Sequence, residues 1–170
     1  MPLADTLLRL AEPPAVYEPR WSEEILAEMS RVLVRKFAKS PAKSRYRETV
    51  MRSFFPNAMV EGYEPLVGQV RNHPKDRHVL AAALACQADY LVTFNLRDFP
   101  ASAGEATAVV GPSAFLKGLW KLEASVILTR LEEQAGAIGA SKDELLDRLP
   151  LSVPSFVELV RNDTQELALP

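Results

Sequence analysis

The sequence predicts an α/β fold, a parallel sheet with helices on both faces, followed by a helical extension. Three observations carry that expectation. Tyr90, Leu91, Val92, Thr93 and Phe94 are nearly all β-branched or aromatic, which suits a strand buried on both faces. Just before them, across the short connection Gln87, Ala88 and Asp89, residues 79–86 are almost continuously apolar and alanine-rich, as a helix lying tightly on a sheet requires. After Pro112 strand patterns cease. Strands that alternate with helices through short loops give a parallel sheet.

The elements follow in order. Leu7, Leu8 and Leu10 recur at near-helical spacing and stop before Pro13 and Pro14, so residues 3–11 are expected as a short helix. Ala15, Val16 and Tyr17 form a short strand candidate. Ser22, followed by Glu23 and Glu24, marks a helix start, with a hydroxyl for free N–H groups and acids at the positive end of the dipole. Ile25, Met29, Val32 and Leu33 supply that helix with its apolar stripe. Residues 58–62 read as a second strand, Pro74 and Asp76 as the start of the alanine-rich helix, and residues 106–110 as the last strand, closed by Gly111 and Pro112. Ser113 is expected to cap a helix carrying Phe115, Leu116, Leu119 and Trp120 and running to Gly136. Ser141 and Glu144 form a capping box, and Pro154 opens a final helix. The expected division is an α/β domain over residues 1–112 and an acidic helical extension over 113–170, in which acids outnumber bases eight to three from residue 132 onward.

At 170 residues, with 48 % hydrophobic and 25 % charged residues, one core can hold the chain. No apolar run approaches the ~20 residues of a membrane span, and the N-terminus lacks the basic stretch and cleavage site of a secretory signal. The single cysteine, Cys86, excludes an internal disulfide and a cysteine-based zinc cluster, so a cytoplasmic protein without membrane contact is expected. The net charge of −2 conceals two unlike regions. Residues 31–52 hold eight basic residues against one acid, Glu48, a local charge of +7, and the other 148 residues carry −9. Such asymmetry suits a basic surface that meets a polyanion, although a solvated helix face has the same composition.

Phosphate-loop, dinucleotide and nucleophile-elbow motifs are absent. With only His73 and His78, histidine-rich zinc and triad chemistry are not expected, and His78 and Cys86 read as ordinary structural residues. What remains is oxygen chemistry. Asp76 stands at a helix start, and Asn95 and Asp98 directly follow the best strand. In an open parallel sheet, helix N-termini and strand C-termini share one edge, where such folds place their sites. Glu28, six residues past Ser22, can lean over the same edge. Carboxylates that meet with no lysine or arginine among them repel one another unless a cation lies between, and the natural cation is Mg²⁺ or Mn²⁺. Singly, each residue has a plainer use: Asp76 as a helix cap, Asp98 as a turn residue before Phe99 and Pro100, Glu28 as a solvated flank.

Two stretches resemble the PIN domain family of metal-dependent ribonucleases, nearest to the bacterial branch that includes toxins of toxin–antitoxin pairs. They are residues 76–84 (Asp76, Arg77, His78, Val79, Leu80 and the alanines after them) and residues 88–100 (Ala88 and Asp89 through Asn95, Leu96, Arg97, Asp98, Phe99 and Pro100). Residues 20–28 resemble that branch's second helix and residues 7–11 its first, so the likeness covers about residues 3–112. The resemblance implies a three-layer PIN-like sheet and an acidic Mg²⁺ or Mn²⁺ site that cleaves RNA. Glu28, Asp76 and Asp98 match catalytic and metal-binding acids, and Asn95 stands where this branch often has asparagine as a further ligand. RNA would be the substrate, with an antitoxin protein as partner. Lys39, Lys43, Arg45 and Arg47 would track the RNA backbone, and Tyr46 would stack a base.

The family begins with a central strand ending in an aspartate, and neither has a counterpart here; Asp5 falls inside the first helix. A truncated chain or a misplaced start is the expectation, with exposed strand edges that favour a homo-oligomer and with weak or no ribonuclease activity. Two rival readings are a degenerate PIN fold that binds RNA or a protein without cutting, and another Mg²⁺-dependent α/β hydrolase such as a small phosphatase.

Overall fold

The computed structural model describes residues 2–99, 107–149 and 151–166. They form two compact units, one made of the described residues within 1–18 and 110–170, the other of those within 19–109. No helix among the described residues is long and apolar enough to cross a membrane.

The first unit is helical: α1 (Pro2–Ala11), α6 (Pro112–Ala137), α7 (Lys142–Asp147) and α8 (Pro154–Glu166). Its core gathers Leu10, Leu116, Ile127, Leu131, Leu145, Leu146, Phe156 and Val160, all removed from solvent. Inside this core Thr6 donates to Gln134 Oε1 at 2.7 Å, and Gln134 Nε2 donates to the carbonyl of Pro2 at 3.0 Å, so the buried amide is satisfied. The capping box of α7 forms as expected: Glu144 N–H donates to Ser141 Oγ at 3.1 Å and Ser141 N–H to Glu144 Oε2 at 2.7 Å. Two expectations fail here. Ala15, Val16 and Tyr17 are not a strand, because Val16 N–H donates to Leu10 O at 2.9 Å and Tyr17 Oη–H to Leu7 O at 2.8 Å, which folds the segment back on α1. Ser113 does not cap α6: Gly111 takes the cap position ahead of Pro112, and Ser113 Oγ instead accepts the Phe156 N–H at 3.1 Å.

The second unit carries the sheet. It contains α2 (Glu23–Phe37), α3 (Pro41–Phe54), α4 (Glu64–Val67), α5 (Arg77–Ala85), β1 (Tyr90–Val92) and β2 (Ala108–Val110), whose last residue belongs to the first unit. β1 and β2 make a two-stranded parallel sheet, and a separate parallel bridge joins Trp21 to Met59. Of the expected last strand, Ala106 lies outside the described residues. The strand expected over residues 58–62 shrinks to that bridge, held by Trp21 N–H to Ala58 O and Val60 N–H to Trp21 O, both 2.9 Å; Pro56, which has no N–H to donate, opens a 3₁₀ turn just before it.

α5 works in two directions. Ala81 and Ala82 pack with Val60 and Tyr63, while Leu80 packs with Leu91 and Phe99, so alanine's small size lets the helix lie close between them. β1 itself corrects the sequence reading. Leu91 is buried at 4 %, whereas Tyr90 and Val92 are 53 % and 36 % exposed, because within this unit α5 covers only one face of the strand. At the end of α2, Ala38 adopts left-handed torsion (φ 48°, ψ 31°) and Lys39 N–H reaches back to Leu33 O at 3.1 Å. This cap reverses the chain, and Ser40 Oγ then accepts the Lys43 N–H at 3.3 Å to start α3. The basic segment is thus a helical hairpin.

Candidate metal centre

Asp76 and Asp98 come together at the edge where the sequence places them. His73 N–H donates to the Asp98 carbonyl at 3.0 Å, tying the loop before α5 to the turn after β1. A 3₁₀ turn, Pro74–Asp76, then brings Asp76 round, with Asp76 N–H donating to His73 O at 2.9 Å. Asp76 holds the N-cap position of α5 but its side chain caps nothing; Ser22, Ser40 and Ser141, by contrast, do cap their helices. The Asp98 turn is shaped by Thr93 Oγ1, which accepts the Asn95 N–H at 3.0 Å, and by the Asn95 side-chain amide, which donates to Asp98 Oδ2.

One ligand atom each from His73, Asp76 and Asp98 lies within 4.8 Å of the others. Two carboxylates and an imidazole are donors of the kind that Mg²⁺ or Mn²⁺ accepts, so the chemistry of this donor set fits such an ion. Asp76 Oδ2 is buried without a hydrogen-bond partner, as an oxygen kept for a cation would be. Burial chiefly, then a side-chain hydrogen bond with Asp98 and the charges of Asp98 and Glu28, pushes the Asp76 carboxyl above its ordinary value, against the opposing pull of Lys75.

The expectation that no basic side chain stands among these acids is wrong. Lys75 Nζ lies 2.9 Å from Asp98 Oδ2 and 3.8 Å from Asp76 Oδ2. This contact, followed by the Asn95 hydrogen bond, holds the Asp98 carboxyl below the usual range, and reciprocally the Lys75 ammonium is raised. The long, flexible lysine side chain, starting from the 3₁₀ turn beside Asp76, reaches across to Asp98. His73 and Lys75 are the residues the sequence reading passed over, and their signal is their position, flanking Pro74 immediately before the acidic helix start.

Glu28 stands beside this group. Its Oε2 is 3.4 Å from Nε2 of His78, a buried imidazole whose nitrogen finds no aligned hydrogen-bond partner, and its charge acts on both Lys75 and Asp76. His78 is therefore a neighbour of the acids, facing Glu28. Lys39, Lys43, Arg45 and Tyr46 are exposed on the α2–α3 hairpin and Arg47 is half-buried. Arg52 is engaged by Glu23 and Glu48, the latter at 2.8 Å.

The chain is 32 % identical over 109 residues to the Mycobacterium tuberculosis protein named "Putative ribonuclease VapC50", a match covering 61 % of this chain and 64 % of that relative's length. No solved structure gives a significant match. The family described as PIN domain matches residues 4–97, more than half of the chain and the stretch that supplies His73, Asp76 and Glu28. With an acidic helix start and an acidic strand-end turn brought to one edge of a parallel sheet, and with that match over more than half of its length, the chain belongs to the PIN domain family.

Proposed function

We propose that the protein is a metal-dependent endoribonuclease, the toxin of a toxin–antitoxin pair, cutting RNA at the edge formed by Asp76, Asp98 and Glu28. The observation that carries this reading is the meeting of Asp76 and Asp98 with His73, including a buried carboxylate oxygen that no protein donor satisfies. The name of the Mycobacterium tuberculosis relative supports the same activity.

Mg²⁺ or Mn²⁺, held by Asp76 and Asp98 with His73, Glu28 and Asn95 around them, would activate water and offset charge on the leaving oxygen of a phosphodiester. Asn95 fixes the Asp98 carboxylate so that it presents the same oxygen each time. Lys39, Lys43, Arg45 and Arg47 hold the phosphates of a single strand, and Tyr46, 72 % exposed, offers its ring to a base. The exposed face of β1, with Tyr90 and Val92 on it, supports a homo-oligomer. The reading takes the protein as cytoplasmic.

The experiment is cleavage of a labelled RNA with Mn²⁺, with EDTA, and with Asp98→Asn. Metal-dependent cutting lost in Asp98→Asn supports the reading. RNA binding that needs no cation, with no cutting, gives the rival: a non-catalytic binding protein.

A further inference from the structure

We infer that Lys75 is a built-in counter-cation of this site: its ammonium takes the space between Asp76 and Asp98 that a divalent ion needs, and it must swing out before an ion enters. The inference rests on the metal-site reading above. Lys75 Nζ is 2.9 Å from Asp98 Oδ2 and 3.8 Å from Asp76 Oδ2, so it touches the pair of oxygens on which an ion would sit. An ion at about 2.1 Å from the same Asp98 oxygen would lie within about 5 Å of the ammonium, and that repulsion, screened at an exposed lysine, weakens ion binding about three- to tenfold. A protonated lysine has no lone pair, so it cannot join the coordination shell.

The way out is open. The Lys75 main chain is held by its N–H on His73 Nδ1 at 3.4 Å and by the 3₁₀ turn, while its side chain is 59 % exposed on a flexible four-carbon stem. Only the side chain has to move. Ion entry therefore exchanges an internal ion pair for metal ligation, and the exchange sets a threshold: an ion binds only where ligation by His73, Asp76 and Asp98 outweighs the loss of the Lys75 pair. Without an ion, the lysine keeps the facing carboxylates from repelling each other.

The test is Mn²⁺ titration of the metal-free chain, read by the loss of the free-ion electron paramagnetic resonance signal, for wild type, Lys75→Met, Lys75→Arg and Asp98→Asn. Lys75→Met should bind Mn²⁺ about three- to tenfold more tightly than wild type, Lys75→Arg should stay near wild type, and Asp98→Asn should lose most binding. Circular dichroism checks that the exposed substitution leaves the fold intact. Equal or weaker Mn²⁺ binding by Lys75→Met, with Asp98→Asn still deficient, overturns the counter-cation and leaves the metal site standing. No Mn²⁺ binding by wild type or by Lys75→Met overturns both.

Discussion

Replacing Asp76 by asparagine separates the chemistry of the site from its architecture. The Asp76 side chain caps nothing, its Oδ2 accepts no hydrogen bond, and its ion pair with Lys75 is long at 3.8 Å, so asparagine removes a charge the fold uses little. Loss of a true helix cap costs about 1 kcal/mol and asparagine caps nearly as well as aspartate, so the change in unfolding free energy should be smaller than about 1 kcal/mol. Metal binding should respond quite differently. A divalent ion about 3 Å from the carboxylate charge gains about 3 kcal/mol even at the dielectric of water, so the substitution should weaken Mn²⁺ binding roughly a hundredfold. Isothermal titration with Mn²⁺ reads the effect on metal binding, and urea unfolding reads the effect on stability. Wild-type Mn²⁺ affinity in Asp76→Asn would refute the site, and a stability loss well above about 1 kcal/mol would refute the claim that Asp76 is structurally idle.

Four further outcomes follow. Glu28→Gln should weaken Mn²⁺ binding less than Asp76→Asn, since Glu28 contacts His78 and is outside the tight three-residue group; the same titration ranks the two. Neutralising Lys39, Lys43, Arg45 and Arg47 together should weaken RNA binding and flatten its salt dependence by about 0.7 for each phosphate that is no longer neutralised, measured by fluorescence anisotropy across a salt series. Asp98 has a lowered folded-state pKa, so it stabilises the fold above the ordinary carboxylate value and that stabilisation is lost as pH falls below it; Lys75→Met, which removes the main cause, should reduce this acid-side dependence in thermal melts. Ser141→Ala, which breaks the capping box of α7, should cost about 1 kcal/mol in urea unfolding.

Periodicity and caps made the helices legible: the leucines of α1, Ser22 ahead of α2, the capping box of α7 and Pro154 of α8 all act locally, and local signals survive in a sequence. Ala15 to Tyr17 failed because the pattern could not show that Val16 and Tyr17 would find partners on the preceding helix. For Tyr90 and Val92, an apolar run says what a strand can bury, and not which face the rest of the fold covers. At the site, Asp76 and Asp98 could be paired from topology alone, since helix starts and strand ends share an edge. His73 and Lys75 could not, because their placement depends on the local 3₁₀ turn at Pro74 and on a flexible side chain that reaches Asp98.

The central claim is that these acids bring a divalent ion to an RNA phosphodiester. Its most direct test is cleavage of a 5′-labelled single-stranded RNA by the purified chain, with Mn²⁺ or EDTA, alongside Asp76→Asn and Asp98→Asn. The account predicts slow cutting that rises with Mn²⁺, stops with EDTA and is lost in both variants. Cutting that persists in EDTA, or that both variants retain, would contradict it.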